Sequence, residues 1–209
     1  MQIGFFFDQQ RCTGCYTCVV ACKQWHGIPA GPASLRRVET TEEGQFPKVW
    51  VTHLSLSCCH CLEPACAAAC PMSAITKRVE DGIVVVDSDL CIGCRACGDA
   101  CPYGAPQFRD DRSAMEKCDL CLDRFLQGEK PICVISCPLR ALDAGPLQEL
   151  GATYPGTAEV PGFADPAYTH PAILFRPRVA VEAFVENVVL PTPGHRSQGG
   201  LNANQQAKG

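Results

Sequence analysis

The chemistry available to this chain lies in its cysteines, seventeen among 209 residues. Cys12, Cys15, Cys18 and Cys22 follow the spacing C-x2-C-x2-C-x3-C, and Cys91, Cys94, Cys97 and Cys101 repeat it with a proline after the last cysteine. Cys58, Cys61, Cys66 and Cys70 follow C-x2-C-x4-C-x3-C-P, and Cys118, Cys121, Cys133 and Cys137 follow C-x2-C-x11-C-x3-C-P. A cubane of iron and sulfide needs four thiolates, one at each iron corner. Three cysteines on a tight loop can wrap three corners, and a fourth on the following helix points away from that loop. The run C-x2-C-x2-C-x3-C-P is the signature of two-cluster ferredoxins, where the fourth cysteine ligates the other cluster. Pro71, Pro102 and Pro138 end the helix, because proline disfavours helical geometry in the residue before it; the first group has Lys23 instead.

Two other uses of cysteine compete with this one. A disulfide framework belongs to secreted chains, but Met1 to Asp8 carries no basic region, long apolar stretch or cleavage site, and an odd cysteine count pairs badly. All-cysteine zinc sites combine two separate C-x2-C knuckles and need no third cysteine at the same interval. Soft thiolates in two unbroken C-x2-C-x2-C-x3-C runs point to iron and sulfide. Sixteen cysteines therefore read as ligands of four 4Fe–4S clusters. Cys58, not Cys59, gives the C-x2-C spacing to Cys61, so Cys59 is expected to pack beside a cluster as a small buried residue. His60 lies between two ligands but is not expected to bind iron, since the cysteine sets are complete.

The elements that must position these loops come from an internal repeat. Phe5-Phe6-Phe7-Asp8 before Cys12 and Cys15 matches Val84-Val85-Val86-Asp87 before Cys91 and Cys94, and the register holds to Ala21-Cys22 and Ala100-Cys101. Cys66, Cys70, Pro71 and Ala74 mirror Cys133, Cys137, Pro138 and Ala141. The expected fold is α+β: duplicated bacterial two-cluster ferredoxin-like modules, with an added strand and an extended C-terminal tail. Ile83 to Asp87 should pair with Ala74 to Val79 through a Glu80-Asp81-Gly82 turn, and Phe5 to Asp8 with the segment near Ala141 to Ala144. Val49 to Leu56 reads as the added strand, with Gly44, Pro47 and Gly27 to Pro32 as loop. Residues 1–57 plus 108–150 would form an outer module, 58–107 a middle module, and 151–209 a proline-rich tail that docks on a partner.

The exchange of fourth cysteines then assigns the clusters. Cys12, Cys15, Cys18 and Cys137 would hold one, and Cys118, Cys121, Cys133 and Cys22 its neighbour. In the middle module, Cys58, Cys61, Cys66 and Cys101 would hold a third, and Cys91, Cys94, Cys97 and Cys70 a fourth. Ligation would supply much of the folding energy, so the apo form is expected to be poorly folded.

The segments Gly4-Phe5-Phe6, Arg11-Cys12-Thr13-Gly14-Cys15, Asp89 to Arg95, Cys101 to Gln107, Lys130 to Cys133 and Ser136 to Leu142 carry a family likeness. Over roughly residues 3 to 150 the chain resembles the four-cluster electron-transfer subunits of the molybdopterin (dimethyl sulfoxide reductase) oxidoreductases, with the anaerobic dimethyl sulfoxide reductase iron–sulfur subunit most similar. The resemblance implies a non-catalytic relay between a molybdenum or tungsten pterin catalytic subunit and a membrane anchor with a quinone site. Relays of this kind serve catalytic subunits for sulfoxides, polysulfide, thiosulfate, arsenate and formate. It also implies membrane association through partners, with export alongside a signal-bearing catalytic subunit; a cytoplasmic site is the alternative. Some relatives replace one ligand with tryptophan and hold three irons; here no ligand is missing.

The remaining features fit that reading. A net charge of −4 argues against a nucleic-acid partner. No apolar run approaches the ~18 residues of a membrane span, and the best, Val179 to Leu190, is broken by Glu182, Glu186 and Asn187 and reads as an amphipathic docking element. No phosphate-binding glycine motif or nucleophile with an adjacent base is present. Arg95, Lys117, Arg109 and Arg140 lie near ligands in sequence and could raise cluster potentials, unless they are solvated or face a partner. Trp25 and Tyr103 read as packing residues. Pro155, Pro161, Pro166, Pro171 and Pro177 mark an irregular segment that would wrap a partner, and Gly194 to Gly209 reads as a polar end. A free soluble polyferredoxin and an iron–sulfur redox sensor are the alternative functions.

Overall fold

The structure, a computed structural model, describes residues 1–178. In chain order the elements are β1 (Ile3–Asp8), α1 (Thr17–Trp25), β2 (Arg37–Gln45), β3 (Lys48–Leu56), α2 (Ala65–Ala68), β4 (Ile75–Lys77), β5 (Val84–Val86) and α3 (Ala96–Ala100). They continue as β6 (Gln107–Arg109), β7 (Ala114–Glu116), α4 (Leu122–Phe125), α5 (Ile132–Ile135), β8 (Leu142–Pro146), α6 (Leu147–Thr153) and β9 (Ile173–Arg176). Among these residues no helix is long and apolar enough to cross a membrane.

The central sheet has the order β8-β1-β9. All six residues of β1 are buried, which its Ile-Gly-Phe-Phe-Phe-Asp sequence suits: a strand covered on both faces is continuously apolar rather than alternating. β8 pairs antiparallel to it, Ile3 opposite Pro146 and Phe7 opposite Leu142, and β9 pairs parallel, Phe5 opposite Ile173. Phe6 stacks on Tyr154 at 4.1 Å between ring centroids. Gly4 is required by packing, because a Cβ there would collide with the carbonyl oxygen of Ala172.

Three two-stranded hairpins surround this sheet. β2 and β3 pair from Arg37–Leu56 to Gln45–Lys48, and only the end of the hairpin at Leu54, Ser55 and Leu56 enters the core. β4 and β5 pair Ile75 with Val86, and the Arg78–Asp81 ion pair at 2.9 Å closes their turn. The Ile3 amide bonds to the Asp81 carbonyl at 2.8 Å, tying β1 to that turn. β6 and β7 pair Gln107 with Glu116. The main apolar core joins Phe5, Phe7, Leu54, Leu56, Ile83, Leu120 and Phe175, while a smaller one gathers Cys66, Ile75, Val84, Cys97 and Met115.

Several expectations are refined. The added strand is one arm of a hairpin: β2 is a strand where loop was expected around Gly44, held by nine residue pairs with β3. Residues 155–178 are irregular only in part, because β9 completes the central sheet and Ala172, Ile173 and Phe175 are buried on the chain's own core. The expectations for Val179 to Leu190 and Gly194 to Gly209 lie outside the described residues. The fourth cysteines also depart from the helical expectation where proline follows. Cys101 caps α3 with extended geometry (φ −85°, ψ 112°), and Cys70 and Cys137 lie two residues beyond α2 and α5. Only Cys22, followed by Lys23, sits inside its helix, which continues to Trp25. The proline ring accounts for the difference.

Candidate iron–sulfur sites

The cysteine loops share one backbone design. The residue two beyond the first cysteine has positive φ in every group: Gly14 at 67°, His60 at 45°, Gly93 at 68° and Leu120 at 63°. The residue three beyond the last cysteine does the same where proline is present: Ser73 at 52°, Gly104 at 57° and Arg140 at 53°. Tyr16 and Arg95, each directly after the second cysteine of its group, adopt 60° and 68°. Left-handed geometry is strained for residues with a side chain and gathers at functional sites.

The product of these turns is a set of amides aimed at sulfur. The amides of His60 and Leu120 bond to Sγ of Cys58 and Cys118 at 3.4 Å. Those of Ala74 and Ala141 bond to Sγ of Cys70 and Cys137 at 3.3 Å, and that of Ala105 to Sγ of Cys101 at 3.5 Å. Met115, from β7, donates its amide to Cys91 Sγ at 3.3 Å. Such bonds favour the thiolate over the thiol and are one of the levers on cluster potential.

Sulfurs from different cysteine groups come together. One cavity is lined by Cys12, Cys15, Cys18 and Cys137, with Phe7, Val38 and Leu142. Another is lined by Cys70, Cys91, Cys94 and Cys97, with Ile75, Val86 and Met115. Burial pushes the Cys66 thiol up to about 12, and the nearby sulfurs of Cys58, Cys101 and Cys61 add to it against the pull of Lys117. Cys22 is likewise pushed up to about 12, first by burial, with Arg36 opposing and Cys133 and Cys121 reinforcing. Cys15 is the contrary case: exposed, with the Thr17 hydroxyl 3.4 Å from its sulfur, it is lowered. Cys59 is buried beside Cys58, its thiol facing the Ser57 carbonyl at 3.6 Å and raised by burial.

These donors fit a 4Fe–4S group. Each of the two cavities offers four thiols with apolar neighbours, and thiols raised by burial must give up protons to metal on binding. Two buried side-chain nitrogens lack a hydrogen-bond partner among the described residues, Arg36 Nε and His60 Nε2, and both residues lie beside cysteine sets. His60 accepts the Val84 amide at 3.0 Å on Nδ1, which places its proton on the unpartnered nitrogen.

The basic residues singled out by sequence divide. Arg109 is buried but neutralised by Asp111 and Glu116, each at 2.7 Å. Arg95 lies over the Phe108 ring, 4.1 Å from its centroid, and Arg140 is exposed. Lys117 is buried and donates to the carbonyls of Val84 and Cys118. Trp25 packs under Arg124 and bonds to Asp123, and Tyr103 stacks on Phe163 and meets the Thr169 hydroxyl at 3.0 Å. Sequence spacing gives no warning of Arg36, Ser55 or His26. Arg36 arrives from the loop before β2, Ser55 from the buried end of β3, and His26 caps α1 with Nε2 at 3.5 Å from Cys121 Sγ.

Comparison with known proteins identifies 4Fe–4S domains in the chain. Residues 49–147 match the 4Fe–4S dicluster domain family, and residues 4–24 match a 4Fe–4S binding domain. A component of the anaerobic dimethyl sulfoxide reductase of Escherichia coli is 47% identical over 184 residues, covering 84% of this chain and 89% of its own. A subunit of the sulfite dehydrogenase of Allochromatium vinosum is 39% identical over 161 residues, 67% of each chain. The formate dehydrogenase iron–sulfur subunit of Wolinella succinogenes is 37% identical over 166 residues, covering 69% of this chain and 81% of its own. With thiol-lined cavities, amides directed at sulfur and this degree of identity, the protein belongs to the family of iron–sulfur electron-transfer subunits that includes the one in anaerobic dimethyl sulfoxide reductase.

Proposed function

We propose that this chain is the non-catalytic relay subunit of a respiratory oxidoreductase. It would carry electrons through four 4Fe–4S clusters between a quinone-linked membrane anchor and a molybdopterin catalytic subunit. Such a cluster, when bound, takes up and returns one electron at a time. The ligand sets are Cys12, Cys15, Cys18 with Cys137; Cys118, Cys121, Cys133 with Cys22; Cys58, Cys61, Cys66 with Cys101; and Cys91, Cys94, Cys97 with Cys70. The observation that carries this reading is the thiol-lined cavity in which Cys137 joins Cys12, Cys15 and Cys18, matched by the one in which Cys70 joins Cys91, Cys94 and Cys97.

The protein's own contribution is to hold thiolates, donate amides to their sulfurs and exclude water. The repeated left-handed positions support a duplicated two-cluster module. The outer pair would use residues 1–57 with 108–150, the middle pair 58–107, and β6–β7 would cross over to cover the Cys91 loop. Phe46, 92% exposed at the tip of the β2–β3 hairpin, suits a docking role alongside the proline-rich part of the chain at 151–209. Membrane association would come through the partners, with export alongside a signal-bearing catalytic subunit. Iron and acid-labile sulfide on anaerobically purified protein test this: about sixteen irons per chain are expected. Four or fewer, with stoichiometric zinc, would sink the reading.

A further inference from the structure

Arg36 is 2% exposed, and its guanidinium lies 4.8 Å above the Phe5 ring. The other fully buried guanidinium, Arg109, is neutralised by two carboxylates; among the described residues Arg36 has none. Its hydrogen bonds go to neutral hydroxyls, Nη1 to Ser55 Oγ at 3.1 Å and Nη2 to Ser57 Oγ at 2.8 Å, and Nε is left over. An unpaired buried charge is among the costliest features a fold can carry. Its charge acts most on the sulfurs of Cys133, Cys118, Cys18 and Cys22, and also reaches Cys59 and His60 beside the Cys58 loop. Three of those four sulfurs belong to one ligand set and Cys18 to the other, so the guanidinium sits where the outer pair of sites meet. Ser55 links it to that second set: having accepted from Arg36, its hydroxyl can donate to Cys18 Sγ, 3.6 Å away.

We propose that Arg36 is the buried counter-charge shared by the two outer cluster sites, a positioning residue that raises the reduction potentials of that pair above what their cysteine spacing alone would give. This rests on the cluster reading above. A cluster with four thiolates is anionic and gains a further negative charge on reduction, so a fixed positive charge at close range and low dielectric favours the reduced form. Arginine suits the position because it stays protonated even when buried. The middle sites have no buried guanidinium among the described residues; their nearest buried or half-buried cations are the ammonium groups of Lys117 and Lys77, which bond to backbone carbonyls, and Lys117 acts on Cys66.

The test uses the full chain with its partner subunits, purified anaerobically as wild type, Arg36→Gln and Arg36→Lys. Iron and sulfide are counted and each reduction midpoint is followed by electron paramagnetic resonance. Arg36→Gln is expected to keep its iron while one or two midpoints move to lower potential and the others stay. Arg36→Lys should move the same signals less. If Arg36→Gln fails to load iron, the fully loaded Arg36→Lys decides: one or two midpoints moved from wild type with the others unmoved uphold the proposal, and unmoved midpoints overturn it. Full loading of Arg36→Gln with unmoved midpoints overturns it, as does a uniform shift of all four or a loss of iron in both variants. Wild-type protein short of sixteen irons would instead defeat the cluster reading, a separable result.

Discussion

The loops Cys12–Cys22 and Cys91–Cys101 share their spacing and their backbone, with Gly14 and Gly93 at φ 67° and 68° and Tyr16 and Arg95 at 60° and 68°. Their surroundings differ. The first is covered by the long β2–β3 hairpin, which sets the His53 ring against Gly14 and Ser55 against Cys18. The second is covered by the three-residue strands of β6–β7, which set the Ser113 carbonyl and the Phe108 ring against Gly93 and the Met115 amide against Cys91. One loop therefore lies beside a hydroxyl backed by a buried guanidinium, the other beside backbone dipoles. Cysteine spacing specifies how the chain wraps a site. The electrostatic setting comes from covers supplied by distant parts of the sequence.

The largest effect should come from breaking the proposed exchange of fourth cysteines. Cys137→Ala is expected to abolish the same paramagnetic signal as Cys15→Ala, and Cys22→Ala the same signal as Cys121→Ala, each with a loss of about four irons. A Cys137→Ala signal loss matching that of Cys121→Ala would reverse the assignment. Next, Gly4→Ala forces a methyl against the Ala172 carbonyl and Leu147, neither free to move without disturbing the β1–β9 pairing. It should destabilise the protein by about 2–3 kcal/mol in chemical denaturation, and the signals of the first loop should broaden before those of the Cys91 loop. Gly14→Ala and Gly93→Ala carry the same left-handed strain of about 1–2 kcal/mol. Gly93→Ala should cost roughly 1 kcal/mol more, because its Cβ meets a backbone oxygen at 2.7 Å whereas that of Gly14 meets a side-chain ring. Equal melting temperatures for the two would contradict this account of the covers. The smallest shift in potential is for Ser55→Ala, which removes the hydrogen bond to Cys18 along with the acceptor of Arg36 Nη1: on the order of 1 kcal/mol for the bond to sulfur, or roughly 40 mV for one electron, largest for one cluster in a redox titration.

How much of this is legible in the sequence follows from where each signal resides. The four cysteine groups, β1 and β5 can be read directly, because spacing and apolar runs are local properties. β2 cannot, since Arg-Val-Glu-Thr-Thr-Glu-Glu-Gly-Gln is polar and exposed along nearly its whole length and owes its conformation to β3. β9 is hidden among prolines, where a four-residue strand, Ile-Leu-Phe-Arg, is too short for periodicity to declare. Proline's effect on the fourth cysteines is legible but stronger than expected: it draws Cys70, Cys101 and Cys137 out of the helices. Arg36 escapes entirely, because it lies fourteen positions beyond Cys22 in sequence and no local pattern marks a residue whose role is set by burial between distant loops.

The pairing of β1 with β8 and β9 also has a consequence for how the polypeptide emerges from the ribosome. Ile3 finds Pro146, and Phe5 finds Ile173, only after well over a hundred further residues have been made. At ordinary elongation rates of about 5–20 residues per second, β1 waits roughly 7 to 30 s for its neighbours. Its three consecutive phenylalanines have no sheet to join in that interval. The region from Cys58 to Cys101, with β4 and β5 close together in the chain, can take shape earlier. Segments translated late are thus the ones that seal the first, and a nascent chain of this design needs its N-terminal strand shielded until they arrive.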